Sequence, residues 1–199
     1  MLTLVHAPHS RSTRFIWLLE ELGAPYEIMQ VDIKRTGGPA AGTGARDPRN
    51  PHPHGQVPAL LDDGVLVTES AAIALYLTDK FPEADMGPTV GNPLRGPYLS
   101  WLAYYAGVLE PAVQNHWKGR TATDAGDKAT YDELAEHWRA TLAKQPWILG
   151  EKFSATDIMF ASLLQFAREM MPPFPEFDEW LGRVSARPAL ARAMVKDGG

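Results

Sequence analysis

Cysteine is absent from the 199 residues. That excludes disulfides, thiolate metal sites and a cysteine nucleophile, so any sulfur chemistry must arrive with a substrate. Basic charge is also scarce. Lys and Arg number 19 against 24 Asp and Glu, a formal net charge of -5, the wrong sign for gripping a phosphate backbone. Nucleic acid is therefore not an expected partner. Long apolar runs are missing as well: the longest mostly apolar stretch, residues 98–113, is interrupted by Ser100, Glu110 and Pro111 and is too short to cross a bilayer. It reads as a buried helix, and no membrane association is expected. The N-terminal MLTLVHAPHSRS lacks the basic segment and apolar stretch of a signal peptide, which makes a cytoplasmic location the expectation. No internal repeat is evident.

What is present is apolar residues at 45%, aromatics at 10% among the total, enough for a sizeable core in one large domain or two small ones. The first third alternates strand and helix signals. LTLV reads as a strand, and Phe15, Leu18, Leu19 and Leu22 then recur at helical spacing until Gly23 and Pro25 stop them. Residues 26–31 can form a second strand. Residues 34–55 are too rich in Gly and Pro for a regular helix and read as a long functional loop. A hairpin over residues 57–61 and 65–67 turns at Asp63-Gly64, and Ala72, Ile73, Tyr76, Leu77 and Phe81 line a helix that ends before Pro82. The order is βαβ followed by ββα.

Residues 81–93, FPEADMGPTVGNP, have the composition of a linker. Beyond them strand signals nearly vanish. The spacing predicts a helix over residues 98–117, kinked or broken at Pro111, and another carrying Tyr131, Leu134, Trp138 and Leu142. In FSATDI, Ser154 and Asp157 have capping-box spacing with Phe153 and Ile158 placed as a staple. The helix they start is apolar nearly all round and should run through a core. The tail after residue 174 reads as two short covering helices. The expected division is residues 1–80, a linker over 81–92, and an all-helical domain over 93–199.

The stretch HGQVPALLDDGVLVTES, residues 54–70, packs a Val-Pro step, an Asp-Gly turn and a Thr-Glu-Ser helix start into one run. With the βαβ-ββα order and the helical domain behind it, the chain resembles the cytosolic glutathione S-transferase family over its whole length. That family's fingerprint is N-P-x-G-x-V-P-A-L, a D-G turn and E-S. RFIWLLEELGAPYE and SATDI are family-like too. One spacing departs from the pattern: His52-Pro53-His54 separates Asn50-Pro51 from Gly55, two residues more than the family allows.

The resemblance implies an N-terminal thioredoxin-like domain, a C-terminal helical bundle, glutathione as co-substrate, a small apolar electrophile as the second substrate, and a homodimer. It also implies that Pro58 is cis, with Val57 pairing by its backbone to the cysteinyl unit of glutathione. Ser70, at a helix N-terminus, suits the γ-glutamyl carboxylate, and Glu69 its ammonium. His54 or Gln56 is a candidate for the glycyl carboxylate, as are Lys34 and Arg35. In HAPHSRSTRF, His6 stands where tyrosine-type members have their Tyr, and cysteine-type members are excluded. Ser10, four residues before Arg14, matches the bacterial serine-type, theta-like arrangement as the thiol contact, with Ser12 as the alternative; either Ser also suits a helix N-cap. Tyr104, Tyr105 and Val108 are candidates for the electrophile pocket. An isomerase or peroxidase using the same thiolate, and a noncatalytic interaction module, are the rival functions. No metal is expected, since His6, His9, His52 and His54 lack metal-ligand spacing. GTGA, residues 42–45, has no nucleotide-binding context.

Overall fold

The computed structural model describes residues 1–34 and 45–198. It divides into two compact units, Met1–Ala84 with Pro188–Gly199, and Asp85–Arg187. The first holds β1 (Leu2–His6), α1 (Thr13–Leu22), β2 (Tyr26–Gln30), β3 (Ala59–Asp62), β4 (Val65–Thr68) and α2 (Ser70–Lys80). Its sheet order is β2-β1-β3-β4, with β1 and β2 parallel and the other pairs antiparallel. This is a thioredoxin-like domain, followed by a helical domain.

Local chemistry explains the elements. Gly23 ends α1 in the left-handed region at φ 61°, with its N–H on the Leu19 carbonyl, a conformation glycine adopts without a Cβ penalty. Asp63 and Gly64, both at positive φ, close the β3–β4 hairpin in two residues, as an Asp-Gly turn should. Phe15, Ile16, Leu18 and Leu19 are fully buried or nearly so, each contributing about 1.5–3 kcal/mol of transfer free energy.

The second unit contains α3 (Arg95–Tyr104), a π-turn (Tyr105–Leu109), α4 (Glu110–Trp117), α5 (Ala125–Leu142), α6 (Ala155–Ala167) and α7 (Pro175–Ser185). The interruption expected at Pro111 lies ahead of it. Pro111 has no N–H to offer the turn behind it, and the Glu110 N–H instead reaches back five residues to the Tyr105 carbonyl. In the core, the Trp138 ring lies 5.0 Å from Phe160, 4.7 Å from Phe177 and 5.6 Å from Trp180. The capping box at Ser154 is formed. Asp157, completely buried, accepts hydrogen bonds from the N–H groups of Ile148 (2.9 Å) and Ser154 (3.0 Å) and from Trp180 Nε1 (3.2 Å).

The last helix, α8 (Pro188–Lys196), follows the helical domain in sequence and packs on α1 within the first unit. Glu20 of α1 accepts from Arg192 and Lys196 of α8 and from the Tyr26 hydroxyl. Burial pushes the Glu20 carboxyl up, but these donors outweigh it and hold it at about 2.

Candidate functional site

The sheet register determines which loops meet. Val5 pairs with Ala59, and Ala59 with Thr68. The end of β1, the start of β3 and the end of β4 therefore lie at one end of the sheet. Three segments emerge there: residues 7–12 leading into α1, residues 55–58 leading into β3, and Glu69-Ser70 opening α2. Both helices present their N-termini, the partially positive ends of their dipoles, at this end.

Two serines stand in the first segment. Ser10 is half-buried, and Ser12 is fully buried as the N-cap of α1. Their hydroxyl oxygens are 2.7 Å apart. Ser10 Oγ donates to the Ala7 carbonyl at 2.7 Å, while Ser12 Oγ lies 2.8 Å from His6 Nδ1 and accepts from the Ala7 N–H at 3.2 Å. Burial thus separates the two candidates: Ser10 is open to a ligand and Ser12 is enclosed. Arg14 is buried, whereas Arg11 is exposed.

The second segment contains the Val57–Pro58 peptide, which is cis. Among the described residues, neither the Val57 amide nor its carbonyl has a hydrogen-bond partner, although the residue is half-buried and packs beside Val5, Val31 and Ala59. The preceding loop resolves the spacing departure. Read as His52-Pro53-His54-Gly55-Gln56-Val57-Pro58, the family pattern recovers its spacing, with His52 in the place of Asn. His52 is buried and accepts from the His54 N–H through Nδ1 at 3.1 Å. Its own N–H goes to Asn50 Oδ1, and the Asn50 amide donates to the Gln56 carbonyl at 3.1 Å. Asn50 therefore ties the longer loop together from outside the motif. Burial pulls the His52 imidazole below its ordinary pKa, consistent with an acceptor nitrogen. His54 and Gln56 remain exposed.

Arg46 was not singled out in the sequence. Its guanidinium donates to the His52 carbonyl at 3.0 Å, and its side chain crosses Gly55, where a Cβ would lie 2.9 Å from Arg46 Cγ. With φ at 62°, this position requires glycine twice over. A Gly in this pattern with an Arg nine residues upstream was the available signal, hidden because residues 47–54 between them, DPRNPHPH, carry no periodicity that would say which side chain folds back over the Gly. Lys34 is exposed. Arg35 and most of GTGA lie outside the described residues. In the third segment, Glu69 is exposed with φ 68°, an uncommon backbone for a residue with a side chain, and Ser70 is half-buried as the first residue of α2.

In the helical unit, Tyr104 and Val108 are half-exposed. Tyr105 is a correction. It is fully buried, its hydroxyl donates to Glu110 at 2.7 Å and its ring packs on Phe160. The π-turn shifts helical phase at this point and carries Tyr105 into the core. This unit has its own cavity of about 350 Å³ lined by Pro97, Trp101, His137, Thr141 and Lys144 among others, but by none of the three expected residues. Among the described residues, no group of three or more His, Cys, Asp or Glu is placed to hold a metal, and no helix is long and apolar enough to cross a membrane.

The chain matches known proteins throughout. Residues 1–79 match the glutathione S-transferase N-terminal domain and residues 111–194 its C-terminal domain. Glutathione S-transferase 3 of Schizosaccharomyces pombe is 28% identical over 98% of this chain and 88% of its own length. Disulfide-bond oxidoreductase YfcG of Escherichia coli is 27% identical over 98% and 95%. Among solved structures, a glutathione transferase from Methylococcus capsulatus aligns with TM-score 0.82 at 28% identity, covering 100% of this chain and 99% of that one. A sphingomonad glutathione S-transferase complexed with glutathione aligns at 0.79 and 26% identity over 98% of each chain. By fold, motif and both domain matches, the chain belongs to the glutathione S-transferase family.

Proposed function

We propose that this glutathione transferase binds glutathione across the end of its sheet and activates the thiol at Ser10. The observation that carries the reading is the Val57 backbone. Its amide and carbonyl have no partner among the described residues, while the strand it leads into has partners on both sides. An extended peptide is the ligand that completes such an edge. Glutathione is one, with its γ-glutamyl carboxylate at the N-terminus of α2 by Ser70, its ammonium at Glu69, and its glycyl carboxylate beside His54, Gln56 and Arg46. Tyr104 and Val108 are assigned to the apolar electrophile. The homodimer and the cytoplasmic location belong to the same reading.

The chemistry asked of Ser10 is modest. A thiol of pKa about 8.5 is only about 3% thiolate at neutral pH. One hydrogen bond from a hydroxyl to the charged sulfur is worth about 1.5–3 kcal/mol, which lowers the pKa by one to two units. The N-terminus of α1 acts in the same direction. The thiolate then attacks an electrophilic carbon.

The test is an ultraviolet titration of the thiolate band of bound glutathione. Wild-type protein should show a depressed thiol pKa, and Ser10→Ala should restore most of it while glutathione still binds. An unshifted thiol in the wild type overturns the activation mechanism. Failure to bind millimolar glutathione transfers the chain to the interaction-module reading. Product analysis separates transfer from isomerase or peroxidase chemistry.

A further inference from the structure

Three groups behind Ser10, namely Asp197, His6 and Ser12, have no role in the reading above. Asp197, just past α8, is 1% exposed. Its Oδ2 accepts from the His9 N–H at 3.0 Å and lies 3.3 Å from His9 Nδ1, and its Oδ1 accepts from the Thr13 hydroxyl. On its other side stands the His6 ring, itself 2% exposed, with Nε2 at 3.4 Å from the Asp197 carbonyl and 3.5 Å from Oδ1. The other ring nitrogen faces Ser12, and Ser12 faces Ser10. The line Asp197–His6–Ser12–Ser10 runs from a buried carboxylate to the half-exposed hydroxyl at the end of the sheet.

The direction of the hydrogen bonds follows from which atoms can only accept. Both Asp197 atoms near Nε2 are acceptors, so Nε2 carries the hydrogen and the neutral ring offers Nδ1 as an acceptor. Ser12, whose hydroxyl also lies 3.3 Å from the Ala7 carbonyl, donates to Nδ1 at the shorter distance of 2.8 Å, and its oxygen accepts from Ser10 at 2.7 Å when the Ser10 proton turns from the Ala7 carbonyl. Ser10 Oγ, which accepts from the Ser12 N–H at 3.2 Å, has a lone pair left for an incoming S–H. The Ala7 carbonyl, also 2.7 Å from Ser10 Oγ, is the alternative acceptor for the Ser10 proton.

We propose that His6 is the internal base for the glutathione thiol, receiving its proton through Ser10 and Ser12. The S–H bond breaks and its proton goes to Ser10 Oγ. The Ser10 proton passes to Ser12 Oγ, and the Ser12 proton to His6 Nδ1. The products are a thiolate and an imidazolium, whose two N–H groups meet Ser12 and Asp197. Afterwards each hydroxyl points the other way, so Ser10 donates to the sulfur anion it has just helped create. Asp197 is the positioning residue that selects the tautomer and faces the charged ring. The other charged groups of α8 that reach this region, Arg192 and Lys196, are tied to Glu20, while His9 shares the Asp197 carboxylate and Arg14 is buried on α1.

The inference rests on Ser10 being the thiol contact, and one experiment tests the two separately. Glutathione is mixed with the intact protein at neutral pH in weak buffer, and the thiolate band and the protons released to an indicator dye are measured together. The relay keeps the proton inside, so wild type should form thiolate with much less than one proton released for each. His6→Gln and Ser12→Ala, which leave Ser10 in place, should form less thiolate and release about one proton per thiolate. Wild type that releases a full proton per thiolate overturns the relay and leaves Ser10 activation standing, as a clamp that merely holds the loop would do. Absence of the thiolate band overturns both.

Discussion

At the scale of single residues, burial separates what residue type cannot. Ser10 and Ser12 are alike in chemistry, both polar, small and suited to a helix start, and the sequence favours Ser10 only by its spacing to Arg14. The enclosure of Ser12 by His6 and Ala7 adds a physical distinction. Asp157 shows the same effect. Its capping role is legible from S-x-x-D, but its bonds to Ile148 and Trp180 come from distant chain and are not. Removing the side chain in Asp157→Ala leaves three buried N–H donors without a partner, at about 1–3 kcal/mol each. A loss of at least about 3 kcal/mol by denaturant unfolding is expected. Burial also raises the Asp157 carboxyl to about 6 from an ordinary 3.8. A folded-state pKa above the unfolded one means that the folded protein binds the extra proton, so this contribution is fully present below pH 3.8 and is lost as pH rises through 6. The stability gap between wild type and Asp157→Ala should accordingly be wider at pH 4 than at pH 7, by about 2 kcal/mol. A gap that is constant or widens with pH would contradict the burial argument.

At the scale of elements, the strands and helices were readable where one local signal dominates: Asp63-Gly64 for the hairpin, Gly23 for the end of α1, Ser154 for the start of α6. Two features were not. The π-turn at residues 105–109 arises because Pro111 withdraws a donor from the turn behind it, and periodicity cannot say how a helix absorbs that loss. The allegiance of α8 was hidden for another reason: an amphipathic helix states that it must cover something without stating what. Glu20 settles it through Arg192, Lys196 and Tyr26. Its carboxyl is held at about 2 rather than 4.5, a folded-state pKa below the unfolded one, so its contribution is present above pH 4.5 and is lost as pH falls toward 2. Glu20→Gln should therefore unfold earlier than wild type near neutral pH, and the difference should close across that acid window. Thermal unfolding at a series of pH values reads this directly. A difference that persists undiminished in acid would mean that packing, rather than these ion pairs, holds α8.

At the scale of the whole molecule, sequence order and structural membership part company, and that has a measurable consequence. All the glutathione contacts proposed, apart from those assigned to the electrophile, lie in the first unit, which includes residues 188–199 from the far end of the chain. Tryptophan fluorescence is a poor reporter of it, because Trp17 alone lies there while Trp101, Trp117, Trp138, Trp147 and Trp180 belong to the second unit. Amide hydrogen exchange resolves both. Ligand present at a hundredfold excess over its dissociation constant stabilises the form that binds it by about 2.7 kcal/mol, a slowing of about a hundredfold for amides that exchange only when that form opens. Glutathione should slow exchange in β1, α1 and β3 and, with them, in α8, whereas α7, its immediate neighbour in sequence, should change less. The boundary in protection should fall near residue 187, where no composition shift marks it. If α8 instead follows α7, the C-terminal helix opens independently of α1, and Asp197 cannot be held against His6 in the way the relay requires.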